Sequence, residues 1–146
     1  MTDTSPENRP LARAIATLGE RARATHQRRV LVLAGGAAWC RRQAEAALAA
    51  VAREDALWVG TFAPTAVPSL PTTDASKRLG GECGALVVDA HEGFDPNAFG
   101  AVAGTLRGGG VLLLLTPPLA AWADFPDPQK ARIAVHPYAA EQVSGR

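Results

Sequence analysis

Residues that could do chemistry or hold an anion stand directly after two apolar runs of the chain: Gly35 and Gly36 after one, and Asp89, His91 and Glu92 after the other. Ligands of open parallel sheets bind beyond the carboxyl ends of the strands, where these residues are expected to lie. The acids and the histidine could supply a general base or metal ligands. The alternative is that Asp89 caps the N–H groups of the following loop, with His91 and Glu92 exposed.

The residues that would complete a catalytic or metal site are missing from the sequence. No serine or cysteine stands in an elbow motif that could present a nucleophile. His26 and His136 are remote from His91 in sequence, and Cys40 and Cys83 are not spaced like a metal-binding pair. We therefore expect no catalytic residue and no metal site in this chain.

Gly35 and Gly36 lie between a predicted strand and a predicted helix. Neither G-x-x-x-x-G-K-S/T nor G-x-G-x-x-G occurs here, so a phosphate loop is not predicted. A tight β-to-α turn accounts for the two glycines, although free N–H groups at the helix amino end could hold an anion there. Trp39, on the first helical turn, is more typical of a plug over the strand ends than of a ring stacked on a base. The strand-end cleft that we expect is formed by Trp39, Asp89, His91 and Asp95.

Two continuous apolar runs, residues 85–88 and 111–115, predict the strands that position these side chains. Runs without polar alternation are typical of strands covered on both faces, as in parallel sheets. A helix between them completes a strand–helix–strand unit, which is almost always right-handed. Residues 108–110, three glycines, are predicted to let the chain leave the helix with positive φ and turn into the second strand.

Local residues mark the start of that central helix. Asp95 is a good N-cap because its carboxylate can accept a hydrogen bond from a free N–H of the first turn. Pro96 suits the first helical position, which needs no N–H, and Phe94 and Phe99 have the spacing of a hydrophobic staple. The apolar stripe predicted for this helix consists of Phe99, Val102, Ala103 and Leu106.

The flanking sequence repeats the alternation of strands and helices. A narrow apolar stripe over residues 10–27 predicts a helix that lies on a sheet or on a neighbouring domain. Further elements are predicted as a strand at 30–34, a helix at 38–53, a short strand at 57–59, a loop at 62–74, helical turns at 76–79 and 119–122, an extended piece at 133–135 and a helix start at 138–146. The predicted fold is a three-layer α/β/α domain with a mostly parallel sheet of about four to five strands, Rossmann-like and lacking a phosphate loop.

At 146 residues the chain has the length of about one domain. We expect residues 1–9 to be a disordered tail and residues 10–146 to be a single α/β domain. The helix start near residue 138 lacks a stop signal other than Gly145, which predicts a domain truncated at its carboxyl end. Two unpaired thiols, a polar amino terminus and short apolar runs favour the cytoplasm and no membrane partner.

The net charge of +1 gives no global attraction to nucleic acid, but the charges are unevenly distributed. Arginines crowd residues 9–42, where Glu20 is the single acid. They either solvate two helix faces or form a patch that faces phosphates. If the patch is used, the expected RNA contacts are Arg28, Arg29, Arg41 and Arg42.

Two segments carry a family resemblance: residues 28–40, RRVLVLAGGAAWC, and residues 80–118, GGECGALVVDAHEGFDPNAFGAVAGTLRGGGVLLLLTPP. The glycine before the strand, the Phe-Asp helix start, Gly-Thr-Leu at 104–106 and the glycines before VLLLL resemble the amino-terminal domain of the tRNA(Met) cytidine acetyltransferase family. This family is called TmcA in bacteria and includes the eukaryotic RNA cytidine acetyltransferases. The Trp-Cys pair at 39–40 is similar to the bacterial branch, and residues 135–146 resemble the start of the domain's last helix.

The resemblance implies a large multidomain enzyme that uses acetyl-CoA and ATP or GTP, with magnesium, to acetylate N4 of the wobble cytidine of elongator tRNA(Met). A helicase-like module, a GNAT acetyltransferase domain and a tRNA-binding tail would follow this domain. Because the family's phosphate loop and acetyl-CoA site would lie beyond position 146, the resemblance places no catalytic residue and no cofactor in this chain. It implies a non-catalytic accessory domain that packs on the helicase-like module and could contact tRNA.

Two other functions stay open at the level of sequence. One is a stand-alone, small nucleotide- or phosphate-binding domain that uses Gly35, Gly36 and the helix amino end. The other is an independent hydrolase that works through Asp89, His91 and Glu92, which the missing nucleophile and metal cluster disfavour.

Overall fold

The computed structural model describes residues 9–49 and 55–143, which form a five-stranded sheet with helices on both faces. The strands are β1 (Arg29–Ala34), β2 (Ala56–Val59), β3 (Ser69–Leu70), β4 (Cys83–Asp89) and β5 (Leu106–Thr116). Their order is β1-β5-β4-β2-β3, and every neighbouring pair is parallel. The predicted parallel sheet is therefore confirmed, with β4 at its centre and β1 at one edge.

Helices complete the three predicted layers. They are α1 (Arg9–Thr25), α2 (Ala37–Leu48), α3 (Pro96–Ala103) and α4 (Lys130–Ile133), with shorter 3-10 turns at Thr72–Arg78, Ala90–Glu92, Leu119–Asp124 and Ala140–Gln142. Side chains of α1 and α2 pack on one face of the sheet, and α3 with the first 3-10 turn packs on the other. The expectation that the first helix lies on a sheet is confirmed, because α1 packs mainly against β5.

Neighbouring residues of each central strand point into different halves of the core. In β4, Val87 belongs to the cluster under α1 and α2, while Leu86 and Val88 belong to the cluster under α3. This division follows from the two-residue repeat of a strand. Both faces of β4 are buried, which explains why its sequence is apolar without interruption.

The glycines at 108–110 do not form the predicted turn between the helix and the strand. α3 ends at Ala103, and the three glycines lie inside β5. Cys83 pairs with Leu106 and Ala85 pairs with Val111, so β5 bulges between these two pairs. A side chain at Gly110 would come within 2.7 Å of the carbonyl oxygen of Gly84, and this crowding requires glycine in the strand.

The predicted start of α3 is confirmed. Oδ1 of Asp95 accepts hydrogen bonds from the backbone N–H groups of Asn97, at 2.9 Å, and Ala98, at 3.2 Å. Pro96 is the first helical residue, and the rings of Phe94 and Phe99 lie 5.4 Å apart. Leu106 is not on the helix as predicted; it begins β5 and packs beside Val102 in the same cluster.

Residues 62–74 were predicted to be a loop, and this is wrong in part. Ser69 and Leu70 form β3, which pairs with Trp58 and Val59 at the edge of the sheet, and a 3-10 turn starts at Thr72. Two residues are too few to show a strand pattern in sequence. The strand exists because β2 offers free backbone partners to it.

Other boundaries also differ from the predicted ones. α2 ends at Leu48, whereas the predicted helix ran to residue 53, and residues 50–54 lie outside the described ranges. Ile133 ends α4 and is not extended, and the region from residue 138 contains one 3-10 turn. Proline at 137 prevents a continuous helix from α4 into this region, because it has no backbone N–H to donate to the helical ladder. The predicted tail at 1–9 and the last residues, 144–146, fall almost wholly outside the described ranges.

Candidate functional site

The candidate site lies at the carboxyl edge of the sheet, where four strands end close together. Gly35 follows β1, Thr116 ends β5, Asp89 ends β4 and Gly60 follows β2. The backbone N–H of Gly35 donates to the carbonyl oxygen of Thr116 at 2.9 Å, which continues the ladder beyond the strands. The central position of β4 therefore places Asp89 in the middle of this edge.

Asp89 forms an ion pair with a residue of the first helical layer. The carboxylate is buried, with 1% of the residue exposed, and its Oδ2 accepts a hydrogen bond from Nε of Arg41 at 2.7 Å. The guanidinium of Arg41 also stacks over the ring of Phe62, 3.8 Å from its centre. This pair compensates for the burial of the carboxylate and attaches α2 to the end of β4.

His91 contacts two of the residues at this carboxyl edge, Asp89 and Gly35. Its backbone N–H donates to Oδ1 of Asp89 at 3.1 Å, and its ring Nδ1 lies 3.0 Å from the same oxygen. The ring Nε2 lies 2.9 Å from the carbonyl oxygen of Gly35. Because both oxygens only accept hydrogen bonds here, a neutral imidazole can make one of the two ring bonds and an imidazolium can make both.

The prediction that Asp89 caps the loop is confirmed by its bond to the N–H of His91. The prediction that the histidine is exposed is wrong, because only 4% of the His91 side chain is exposed. The reason is that the 3-10 turn after β4 folds back over the sheet and brings the ring between Asp89 and Gly35.

Glu92 fastens the loop that follows β2. Its two carboxylate oxygens accept hydrogen bonds from the backbone N–H of Thr61, at 2.8 Å, and from the hydroxyl of Thr61, at 2.5 Å. Gly60 has a φ of +141°, and a side chain there would come within 2.6 Å of Oε2 of Glu92. Glycine at position 60 thus allows the two loops to approach each other.

Trp39 has the position expected of a plug. Its ring would lie 3.2 Å from a Cβ atom at Gly35, and it packs against the core under α1 and α2. The N-cap of α2 is Gly36, with a φ of −65°, and no side chain caps this end. An anion site at Gly35 and Gly36 stays a prediction.

The two buried thiols lie at opposite edges of the sheet, Cys40 near the carboxyl end of β1 and Cys83 at the amino end of β4. Sγ of Cys40 lies 3.2 Å from the carbonyl oxygen of Leu33, and Sγ of Cys83 lies 3.5 Å from the hydroxyl of Thr105. Burial raises the pKa of the Cys40 thiol, and the charge of Asp89 adds to the rise. Burial likewise raises the pKa of the Cys83 thiol. Both thiols are therefore poor nucleophiles at neutral pH.

Asp95 does not join the cluster around Asp89. Its Oδ1 caps α3, and its Oδ2 accepts a hydrogen bond from Nη1 of Arg132 at 3.1 Å. The residue that sequence reasoning missed in the cluster is Arg41, which had been considered only as an RNA contact. Its place directly after Cys40, which is buried on the inner face of α2, was the available clue.

The other predicted RNA contacts lie near the start of β1 and on α2. Nε of Arg28 donates to the carbonyl oxygen of Leu106, and Arg29 donates to Oε1 of Gln27 at 2.7 Å. Arg42 is exposed, and within the described ranges it has no hydrogen-bond or ion-pair partner. These placements do not test contact with RNA, which stays a prediction.

A cavity of about 660 Å³ opens beside the cluster, at the carboxyl end of β4. Its walls include the rings of Phe94, Trp122 and Phe125.

Over the described ranges, no group of three or more His, Cys, Asp or Glu side chains could hold a metal ion. Among the helices of those ranges, none combines the length and the apolar composition that a membrane span requires. The polar groups of the cluster are directed at each other, so the arrangement holds loops and α2 to the sheet.

The fold and this edge define a class of protein: a Rossmann-like α/β domain with a parallel sheet and without a phosphate-loop sequence. The family model described as tRNA(Met) cytidine acetyltransferase TmcA, N-terminal, matches residues 1–146. The chain belongs to this family, as its sequence motifs had indicated.

Several curated relatives are similar to this chain. The tRNA(Met) cytidine acetyltransferase TmcA of Nitrosococcus halophilus is 47% identical over 131 residues, which cover 90% of this chain and 18% of that protein. The proteins of the same name from Citrobacter koseri and Haloferax volcanii are 48% and 40% identical and cover 72% and 87% of this chain. The chain thus spans less than a fifth of the length of these relatives, 15–18%.

Proposed function

We propose that this chain is the non-catalytic amino-terminal domain of a tRNA(Met) cytidine acetyltransferase. The observation that carries the proposal is the match of the family's amino-terminal model over residues 1–146. In the proposed whole protein, N4 of the wobble cytidine of tRNA(Met) is acetylated in the cytoplasm with acetyl-CoA and ATP or GTP. The domain packs on a helicase-like module of the same polypeptide.

The chemistry of the candidate site is in favour of a non-catalytic role for the domain. Asp89 is paired with Arg41 and His91, and Glu92 is bound to Thr61, so these acids already have partners. A nucleotide phosphate or acetyl-CoA would need a phosphate loop or a similar set of donors, and the sequence has no such motif. We therefore assign the binding of these cofactors, and of magnesium, to other parts of the proposed whole protein.

An acetylation assay tests this proposal. The 146-residue chain and the whole polypeptide that carries it are each incubated with tRNA(Met), acetyl-CoA and ATP or GTP. We expect N4-acetylcytidine from the whole polypeptide and none from the 146-residue chain. An Asp89→Asn, Glu92→Gln variant of the whole polypeptide that folds should still acetylate. Turnover by the 146-residue chain, or a whole polypeptide that acetylates no tRNA, would contradict the proposal.

Contact with tRNA is a separable part of the proposal. Arg28, Arg29 and Arg42 lie at or near the surface, and Arg41 keeps its remaining N–H groups although its Nε is paired with Asp89. Binding through such arginines should weaken steeply as salt rises, because each phosphate contact releases counterions. In gel shifts with tRNA, Arg42→Glu should weaken binding at low salt, whereas the control Glu45→Gln on the same helix should not. Binding that both variants leave unchanged would remove Arg42 from the contact.

A second function, a small nucleotide- or phosphate-binding domain, has one observation in its favour. The amino end of α2 has no side-chain cap, and Trp39 lies beside it. ATP, GTP and CoA can be titrated against the tryptophan fluorescence of the chain, with Trp39→Phe as the control for the reporting residue. A signal that is flat for all three ligands would eliminate this function.

A further inference from the structure

A cavity of about 460 Å³ lies between α1, α2 and the sheet, on the face opposite α3. Its floor is apolar and consists of Ala85 of β4 with Val111 and Leu113 of β5. The two helices face each other across the cavity with small residues, which are Ala12, Ala16 and Gly19 of α1 and Ala46 and Ala47 of α2. Because these residues leave space between the helices, the cavity has the size of a small-molecule site, about 300–1,000 Å³.

One polar side chain is buried in this apolar wall. Gln43 of α2 is 7% exposed and lines the cavity. Among the residues that the structure describes, none forms a hydrogen bond with its amide. Buried amides normally have a partner, because burial without one is costly. The amide of Gln43 is therefore available to a ligand in the cavity, to which it can donate and accept at the same time.

The charged groups at the cavity come from α1. A Cβ atom at Gly19 would lie 3.3 Å from Nη1 of Arg23, so this guanidinium lies beside the cavity wall. Arg23 is exposed, and in the described part of the chain it has no ion-pair partner. Glu20 also lines the cavity, but the other charged residues of α1 are all arginines. The mouth therefore favours a ligand that carries a negative group outside the apolar space.

We propose that this cavity binds the adenine ring of a nucleotide. The faces of the ring are apolar, as the floor and walls are, and its edge carries an amino donor beside a nitrogen acceptor, which a glutamine amide binds with two hydrogen bonds. The phosphate lies at the mouth beside Arg23, and Glu20 accepts a hydrogen bond from a ribose hydroxyl. A free nucleotide and an unpaired adenosine of an RNA chain both present this ring. The inference goes beyond the proposed function and does not depend on it.

Titration calorimetry tests the inference on the 146-residue chain, with AMP, a short single-stranded oligoadenylate and UMP as ligands. We expect AMP, the oligoadenylate or both to bind. UMP should bind about 10-fold more weakly, because uracil has a smaller ring and no amino group. Binding of AMP would identify a free nucleotide as the ligand, whereas binding of the oligoadenylate alone would identify a base of RNA.

Two variants locate the bound ring. Gln43→Leu removes the amide and keeps a side chain of similar size, and Ala16→Leu fills the cavity from an exposed position of α1. Each should weaken binding by about 10-fold or more. Glu45→Gln, at an exposed position of α2 outside the cavity lining, is the matched control and should leave binding unchanged. Urea unfolding of the three variants checks that each is folded.

Three results would overturn the inference. Failure of both adenine ligands to bind would leave water as the partner of Gln43. Equal binding of UMP and AMP would show that the adenine edge is not recognised. Binding that Gln43→Leu and Ala16→Leu both leave unchanged would move the nucleotide to another place, such as the amino end of α2. None of these results bears on the acetylation assay, so the two proposals are tested separately.

Discussion

Nε of Arg41, in the second turn of α2, lies 2.7 Å from Oδ2 of Asp89 at the end of β4. The pair joins the outer helical layer to the central strand of the sheet, and His91 extends it to Gly35 after the edge strand. A buried acid at a strand end resembles a catalytic base in sequence. Here both of its carboxylate oxygens accept hydrogen bonds within the fold, so we expect Asp89 to stabilise the domain.

Replacing Asp89 with asparagine should destabilise the domain. Asp89→Asn removes the charge that compensates Arg41 and weakens the bonds to His91, and we expect the free energy of unfolding to fall by about 2–4 kcal/mol. Urea unfolding measures this loss. Asp74→Asn is the control, because the pair of Asp74 with Lys77 is exposed and worth about 0–1 kcal/mol. Equal losses in the free energy of unfolding would show that the buried pair stabilises the domain no more than the exposed pair does.

Two glycine-to-alanine substitutions should change the free energy of unfolding in opposite directions. At Gly60, with φ at +141°, the new Cβ would be strained and would approach Glu92 within 2.6 Å, which should cost about 2–4 kcal/mol. Gly100 lies within α3 and has nothing within 4 Å of a new Cβ, so Gly100→Ala should stabilise by about 0.5–1 kcal/mol. Thermal unfolding of both variants checks the signs, and a stabilising Gly60→Ala would refute the tight approach of the two loops.

Asp95 stabilises the domain both as the N-cap of α3 and as the ion-pair partner of Arg132, and we expect that the two contributions can be measured separately. Asp95→Ala removes both the bonds to the first helical turn and the partner of Arg132, and should cost about 1–2 kcal/mol. Asp95→Asn keeps an oxygen for the cap, so we expect it to cost less than half as much. Arg132→Ala leaves the cap intact and should change stability by at most about 1 kcal/mol, because that pair is exposed on the arginine side. A loss in Arg132→Ala as large as in Asp95→Ala would assign the effect to the ion pair.

The buried thiols predict a loss of stability in alkaline solution. In the unfolded chain the thiols ionise near their ordinary pKa of 9.0, whereas burial raises the pKa of Cys40 and Cys83 in the folded chain. Above pH 9 the unfolded chain therefore binds fewer protons than the folded chain, and the free energy of unfolding falls as the pH rises. Urea titrations at about pH 7.5 and about pH 9.5 measure the fall.

The variant that carries both Cys40→Ala and Cys83→Ala separates the thiols from other groups that titrate in alkali. These are the only two cysteines of the chain. The fall in stability with pH should be smaller in this variant than in the parent chain. Identical pH profiles would mean that the thiols ionise as easily in the core as in water.

Features encoded by a few neighbouring residues could be predicted. The Asp95 cap, Pro96 at the first helical position and the packing of Phe94 on Phe99 depend on contacts within one turn of chain, and all three are present. The family was likewise recognisable from two segments of the chain. β3 escaped prediction because two residues form no pattern, and the glycine bulge escaped because glycines signal a turn and a bulge equally well.

The sequence by itself determined the parallel α/β class, the capped central helix and the family, because uninterrupted apolar runs and capping residues act over short distances along the chain. Only the tertiary structure decided that Arg41 neutralises Asp89, 48 positions away, and that His91 is buried against Gly35. It also decided that β1 is an edge strand with Val32 exposed. These outcomes depend on strand order and register, which set distances through space that no local pattern specifies.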